Sequence, residues 1–185
     1  MANKIDRGSA FDATAINQGG IKNYVYLINW EDFHEAQTLT IDGTSKEITA
    51  ITLAEGTKGY KFESSSGSTQ IMPSNPFRGV TAINGFDHTV DVRILDNSQL
   101  SRLNIEKLRF QKVVAIVPLL NGKFKLYGRN VGMRIVDLQE MEGDADTGGT
   151  LNFVLKTPDN DPPEKDLPIL IASTYDITEL DTVAA

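Results

Sequence analysis

Hydrophobic and polar residues alternate along several short stretches of the chain, which is the pattern of half-buried β-strands. Phe86–Leu95 shows it best, because its apolar residues and His88 fall on one face and its charged residues on the other. The same alternation runs through Thr38–Asp42, Glu47–Leu53, Gly59–Glu63, Lys123–Tyr127 and Thr150–Lys156. Turn residues separate these stretches, and Asn121-Gly122 is the strongest hairpin signal. The pattern predicts about ten or eleven short strands.

Two further stretches are apolar without clean alternation. They are Ile21–Ile28 and Val113–Leu120. A strand that is apolar on both faces needs cover on both faces. We therefore expect Ile21–Ile28 to be covered by a second sheet or by another subunit, and Val113–Leu120 to be a buried strand.

One amphipathic helix is predicted, over residues 97–110. Ser98 can cap its first turn by accepting a hydrogen bond from a free amide. Arg102 and Glu106 are four residues apart and can pair. Its apolar residues predict a broad stripe that lies against a sheet or closes a barrel end. They are Leu100, Leu103, Ile105, Leu108 and Phe110. Trp30–Phe33 is predicted to form a turn or a short helical stub.

These elements predict a mostly β fold, an antiparallel β-sandwich or barrel with one flanking α-helix. The domain is expected to span residues 21–157, after an N-terminal arm over residues 1–20. Serines, prolines and glycines predict a loop excursion from the sheet over residues 64–79. Residues 158–185 are acidic and contain prolines, and are expected to form a C-terminal arm, in which Leu167–Tyr175 makes a last strand or docks.

Charge is divided unevenly along the 185 residues. The chain carries a net charge of −7, which argues against a general binder of nucleic acids or anionic membranes. Residues 1–136 hold 13 acids and 16 bases, whereas residues 137–185 hold 12 acids and 2 bases. The acidic end is either a solvated segment or a surface that attracts the more basic body of another copy.

Candidate chemistry is sparse. The chain has no cysteine, which excludes disulfides, thiolate metal sites and cysteine nucleophiles. Of its two histidines, His88 is expected to be a satisfied, partly buried side chain and His34 a turn residue. Asp144-x-Asp146-x-Gly148 resembles the start of a calcium loop, but Leu155 stands where such a loop needs glutamate. No nucleotide-binding motif or membrane-length apolar run is present. We expect no enzyme activity, no cofactor, no metal and no membrane association.

The order of elements resembles that of phage major tail or tail-tube proteins, notably those of phages and prophages of Bacteroides-like bacteria. The resemblance rests on short motifs across most of residues 19–160. They are Gly19–Leu27, Ile48–Leu53 with Gly59–Glu63, the block Leu103–Gly132 and Gly148–Phe153. The stretch 64–79 and the tail beyond Pro158 depart from the family pattern.

This resemblance implies a virion protein of the tail or neck that is assembled in the bacterial host cytoplasm. Its implied partners are other copies of itself, in a six-fold ring or in a ring of higher symmetry, and other tail or neck proteins. Stacked rings would form a tube through which DNA passes without sequence-specific binding. A single-ring connector, collar or tail-terminator protein is an alternative with the same fold, and a monomeric ligand- or glycan-binding β-sandwich is another.

The assembly interpretation nominates two groups of residues. Candidate contacts between subunits or rings are Ser65, Ser66, Gly67, Met72, Pro73, Pro76, Phe77, Asp159, Asp161, Glu164 and Asp166. Candidates for an acidic lumen or interface loop are Glu140, Glu142, Asp144 and Asp146. Carboxylates lining a lumen would repel DNA phosphates and let the DNA slide.

Overall fold

The computed structural model describes residues 20–36, 38–64, 71–80, 83–94, 98–141 and 150–181. The helices are α1 (Trp30–Ala36), α2 (Gln99–Leu108) and a 3₁₀ helix at Ile177–Asp181. The strands are β1 (Tyr24–Asn29), β2 (Thr38–Ile41), β3 (Ile48–Thr52), β4 (Tyr60–Glu63), β5 (Ile71–Ser74), β6 (Phe77–Val80), β7 (Ile83–Phe86), β8 (Thr89–Ile94), β9 (Val113–Pro118), β10 (Phe124–Tyr127), β11 (Arg134–Met141), β12 (Thr150–Lys156) and β13 (Ile169–Ile171).

The strands form three sheets, and the predicted mostly β sandwich with a flanking helix is confirmed. A seven-stranded sheet has the order β2-β3-β13-β10-β9-β1-β4, and a four-stranded sheet has the order β11-β12-β8-β5. Strands β6 and β7 form a separate hairpin. The ladders are antiparallel except for β13 with β3. The sheets of the described residues are therefore largely antiparallel.

Strands β1 and β9 are buried on both faces, as predicted from their continuous apolar runs. Val25 and Leu27 of β1 point into a first core, which lies between the two larger sheets. Tyr26 and Ile28 point into a second core on the other side, formed with β3, β13 and the 3₁₀ helix. The cover on both sides of β1 thus comes from this chain, so a neighbouring subunit is not needed to explain its composition.

Helix α2 begins and ends within one or two residues of the predicted bounds, and Ser98 caps it by accepting from the Ser101 amide at 3.3 Å. The predicted broad stripe is wrong, however. Only Ile105 and Leu108 are buried, whereas Leu100, Leu103 and Phe110 are 71%, 44% and 74% exposed. The reason is the helical period of 3.6 residues, which puts Leu100 and Leu103 on the side opposite Ile105. Residues 100 and 103 therefore form an exposed apolar face.

The predicted excursion over residues 64–79 is largely strand in its described part, which is Ser64 and residues 71–79. Ile71 is buried in the first core, and β5 extends the four-stranded sheet through pairing with β8. Pro73 lies in this strand, which is possible because β5 is the last strand of its sheet and one of its sides needs no ladder bond. Prolines and glycines thus mark an edge strand and a hairpin here, not a departure from the sheet.

The expected C-terminal arm over residues 158–185 belongs to the domain as far as residue 181. Strand β13 lies between β3 and β10, and the second core buries Ile171, Ile177 and Leu180. These side chains would expose apolar surface if the segment projected as an arm, so their burial favours docking. The change in charge near residue 137 consequently does not coincide with a boundary between body and arm.

Candidate assembly surface

His88 is held in a buried polar site and is not positioned as a ligand. The Gly128 amide donates to its Nδ1 at 2.9 Å, so the proton of the neutral ring is on Nε2. Nε2 donates to the Asp166 carbonyl at 3.0 Å. Burial lowers the pKa of His88, with nearby Glu164 acting in the opposite direction. This is the satisfied histidine that the sequence predicted, and the side chain of His34 lies outside the described residues.

Glu164 is a buried carboxylate, so the structure contradicts its nomination as a contact between subunits. Its side chain is 0% exposed and accepts from the Asn130 and Val131 amides at 3.0 and 2.9 Å. Its backbone pairs with Phe86 in an isolated bridge. A Cβ at Gly85 would lie 2.5 Å from the Glu164 carbonyl oxygen, which explains the glycine there. An acidic run in a sequence usually indicates a solvent-exposed segment. Only the contacts with the two amides, which are distant in the sequence, show that Glu164 lies in the interior.

The rest of the acidic segment 158–166 is bound to its own chain. Arg78 joins the Asp87 carboxylate at 2.6 Å and also donates to the carbonyls of Asp159 and Asp161 at 3.1 and 3.2 Å. The carboxylates of Asp159 and Asp161 pair with Lys156 and Lys112. The side chain of Asp166 is exposed. Asp159 and Asp166 therefore remain at the surface, while Asp161 is partly covered.

The other nominated contact residues fall into two groups. Ser65, Ser66 and Gly67 lie outside the described residues. Met72 and Pro76 are exposed, Pro73 is half-buried, and Phe77 is 63% exposed with its ring edge-on to Phe86 at 5.8 Å. Met72, Pro76 and Phe77 are thus exposed along β5 and the start of β6, whereas Pro73 lies opposite the buried Val90 and is on the other face of β5 from Met72.

The acidic-lumen candidates are placed in part. Glu142, Asp144 and Asp146 lie outside the described residues. Glu140 is exposed at the end of β11, lies opposite Leu151 and pairs with Arg102 of α2. The ion pair predicted from Arg102 within the helix therefore runs instead to a strand, and Glu140 is on the helix side of the four-stranded sheet.

The other face of the four-stranded sheet turns away from the core and is polar. Residues opposite each other in the ladders share this face. They are Met72, Ser74, Thr89, Asp91, Arg93, Arg134, Asp137, Gln139, Asn152, Val154 and Lys156. Burial raises the pKa of Asp91, while Arg93 works against that rise. With two acids and three bases, this outward face is mixed in charge and not acidic.

Each end strand of this sheet has an outer side with which no described strand pairs. Strand β11 has 8 residues, and its Val136 and Leu138 are 53% and 40% exposed. Strand β5 ends the sheet on the other side. An unpaired strand offers free N–H and C=O groups to another chain. The four-stranded sheet therefore carries two sites for strand pairing and a polar face between them.

A separate cleft of about 780 Å³ lies between β4 and α2. Its apolar lining includes Leu27, Phe62 and Leu108, and its polar lining is charged with both signs. Strand β4 is the last strand of the seven-stranded sheet. Within the described residues, no group of histidine, aspartate and glutamate side chains could hold a metal ion.

Comparisons of the chain with protein-family models, with curated proteins and with solved structures found no match. Among the described residues, no helix is long and apolar enough to span a membrane. Trp30 is half-buried below the Lys112 ammonium, which is 5.4 Å from the ring centroid, so the one tryptophan is not an open platform for a sugar ring.

Proposed function

We propose that this chain is a structural subunit that assembles with copies of itself into rings, which stack as a phage tail tube and conduct DNA. The single observation that carries the proposal is the four-stranded sheet, with its two unpaired edges and its polar outward face. The resemblance of the element order to tail-tube proteins supports the same conclusion.

Joining the two edges of this sheet between copies would give a closed ring. Strand β11 of one copy would pair with β5 of the next, which is a heterologous contact that closes when the rotation between copies divides a full turn. Closure would leave no free edge in the joined four-stranded sheets. Pro73 has no N–H, so β5 would offer donors from its other residues only. The joined sheets would present their polar outward faces to one side.

That polar face suits a conduit for DNA. Arg93 donates to Asn152 at 2.9 Å, and Lys156 pairs with Asp159 at 2.6 Å, so two of its cations already have partners in the same chain. A face of balanced charge attracts phosphate less than a basic one. DNA would pass along such a lumen with weak, sequence-independent contacts.

Negative-stain microscopy and native mass spectrometry of the purified chain test this proposal. Rings or tubes are expected, and tube length separates a tube protein from a single-ring connector. Leu138→Lys should abolish rings, because a charge on an edge strand opposes pairing. Ile41→Lys is the matched control, since Ile41 is 42% exposed on β2 at an edge of the other sheet. A stable monomer at high concentration, or equal loss of rings in both variants, would overturn the proposal.

A further inference from the structure

The cleft between β4 and α2 is not used by the proposed ring contact. One wall is the edge strand Tyr60–Glu63, and the other is the side of α2 that carries Ser101, Asn104 and Lys107. Four strand residues span about 13 Å. The wall formed by β4 is therefore as long as a four-residue extended segment.

The unpaired edge of β4 determines what kind of partner fits. Strand β4 pairs with β1 on one side, and no described strand pairs with the other. An extended peptide added there would gain main-chain hydrogen bonds, while alternate side chains would enter the cleft. The apolar floor, with Phe62 and Leu108, provides a site for an apolar side chain.

The chain itself contains a segment with the required pattern. Residues 1–19 precede Gly20, the first described residue. In the sequence, Phe11–Ile16 places Phe11, Ala13 and Ala15 at alternate positions, which is the period of a strand. Residues 1–19 carry two acids and two bases, and the cleft is lined by four acids and three bases. Neither surface has a strong net charge that would repel the other.

Gly20 and Ile21, the first described residues, lie before the start of β1 and beside the end of β9. The Leu120 amide donates to the Gly20 carbonyl at 3.1 Å, and Ile21 pairs with Leu119, so residues 20–21 continue along β9. The β1 residues that line the cleft are Leu27 and Asn29, at the other end of that strand. The near end of the cleft is at Glu63, which pairs with Tyr24, four residues after Gly20, so a segment that precedes Gly20 would have to reverse direction to lie beside β4 of the same chain. A second copy can supply the segment without this reversal.

The geometry points to the β4–α2 cleft as a docking site for the N-terminal segment of a second copy, with Phe11–Ile16 added as a strand beside β4. In this arrangement Phe11, Ala13 and Ala15 are on the strand face that meets the apolar floor of the cleft. The inference extends the proposed function, because a strand lent by one copy to another would tie subunits together independently of the β11–β5 contact.

Disulfide trapping tests the docking in the full-length chain, which has no cysteine of its own. A chain with Ala13→Cys is mixed with a mass-tagged chain with Asn104→Cys and oxidised. Asn104 lines the cleft from α2, so the two cysteines should approach closely enough to bond. The matched control replaces the second chain with one carrying Glu106→Cys, which is exposed on the same helix but does not line the cleft.

A linked pair of chains is expected in the first mixture at several times the yield of the control, and Phe11→Ser in the first chain should reduce it. Equal yields in both mixtures would overturn the inference. So would a double variant, Ala13→Cys with Asn104→Cys, that links only within one chain. Negative-stain images of the unsubstituted chain decide the proposed function separately, since rings without trapping contradict only the docking.

Discussion

Strands β9 and β11 show how differently this fold uses its strands. Every residue of β9 is buried, and its side chains enter the first and second cores in turn. Residues 136–140 of β11 are all exposed, although it is the longer strand. The apolar residues of β9 serve the stability of the domain. The exposed apolar residues of β11, Val136 and Leu138, contribute less to that stability, and they are the ones that we propose for contacts with another copy.

The largest expected effect separates these two roles directly. Ile116→Ala in β9 should lower the free energy of unfolding by about 3 kcal/mol, because it leaves a cavity in the second core. Val136→Ala in β11 should change it by less than about 0.5 kcal/mol, since the side chain is already half in solvent. Chemical denaturation followed by circular dichroism measures both. Equal losses would show that β11 is part of the core.

A second comparison concerns the acids of residues 158–166, some buried and some exposed. Glu164→Gln should lower the free energy of unfolding by about 2 kcal/mol, because the Asn130 and Val131 amides donate to different carboxylate oxygens and glutamine replaces one of these with an NH2 donor. Asp159→Asn is the control and should leave the denaturation midpoint unchanged. If both variants behave alike, the interior role of Glu164 is wrong.

The buried site of His88 predicts a smaller effect that depends on pH. Burial lowers the pKa of His88 in the folded chain, so the unfolded chain takes up this proton first as the pH falls. Stability is then complete above a pH of about 6.5 and declines below it, by at most about 1.4 kcal/mol per pH unit.

Urea denaturation at several pH values measures that slope. Protonation also places a second N–H against the Gly128 amide and so removes its acceptor. The carboxylates that favour the charged ring are Glu164, Asp166 and Asp87. A His88→Gln variant should lose the part of the slope that begins near pH 6.5. If the slope is unchanged in that variant, the pH dependence of stability comes from the carboxylates and not from His88.

Much of the fold could be predicted from local patterns. Alternation identified β8 and β12, and continuous apolar runs identified the doubly buried strands. A serine before the helix marked the cap of α2. Each of these follows from a period or a local hydrogen bond, which depends on neighbours in the sequence. The strands at residues 71–80 were missed because prolines and glycines fit an edge strand as well as a loop.

The candidate site was less accessible to such reasoning. Met72 and Phe77 were nominated and are exposed, whereas Glu164 was nominated and is buried. The cleft beside β4 gave no local signal, because its walls come from segments about forty residues apart that are joined only by packing. Unpaired edges are equally invisible, since strand order in a sheet is a property of the whole chain.

The sequence by itself determined the strand content, the helix and its cap, and the absence of cysteine chemistry. The tertiary structure decided which strands end the sheets, which side of α2 faces solvent and which acid lies inside. The physical reason is that the periodicity of apolar residues predicts which side chains share a face of a strand or helix, but not which element packs against that face. Glu164 shows this most clearly, because the backbone amides that donate to its buried carboxylate are 33 and 34 residues away in the chain.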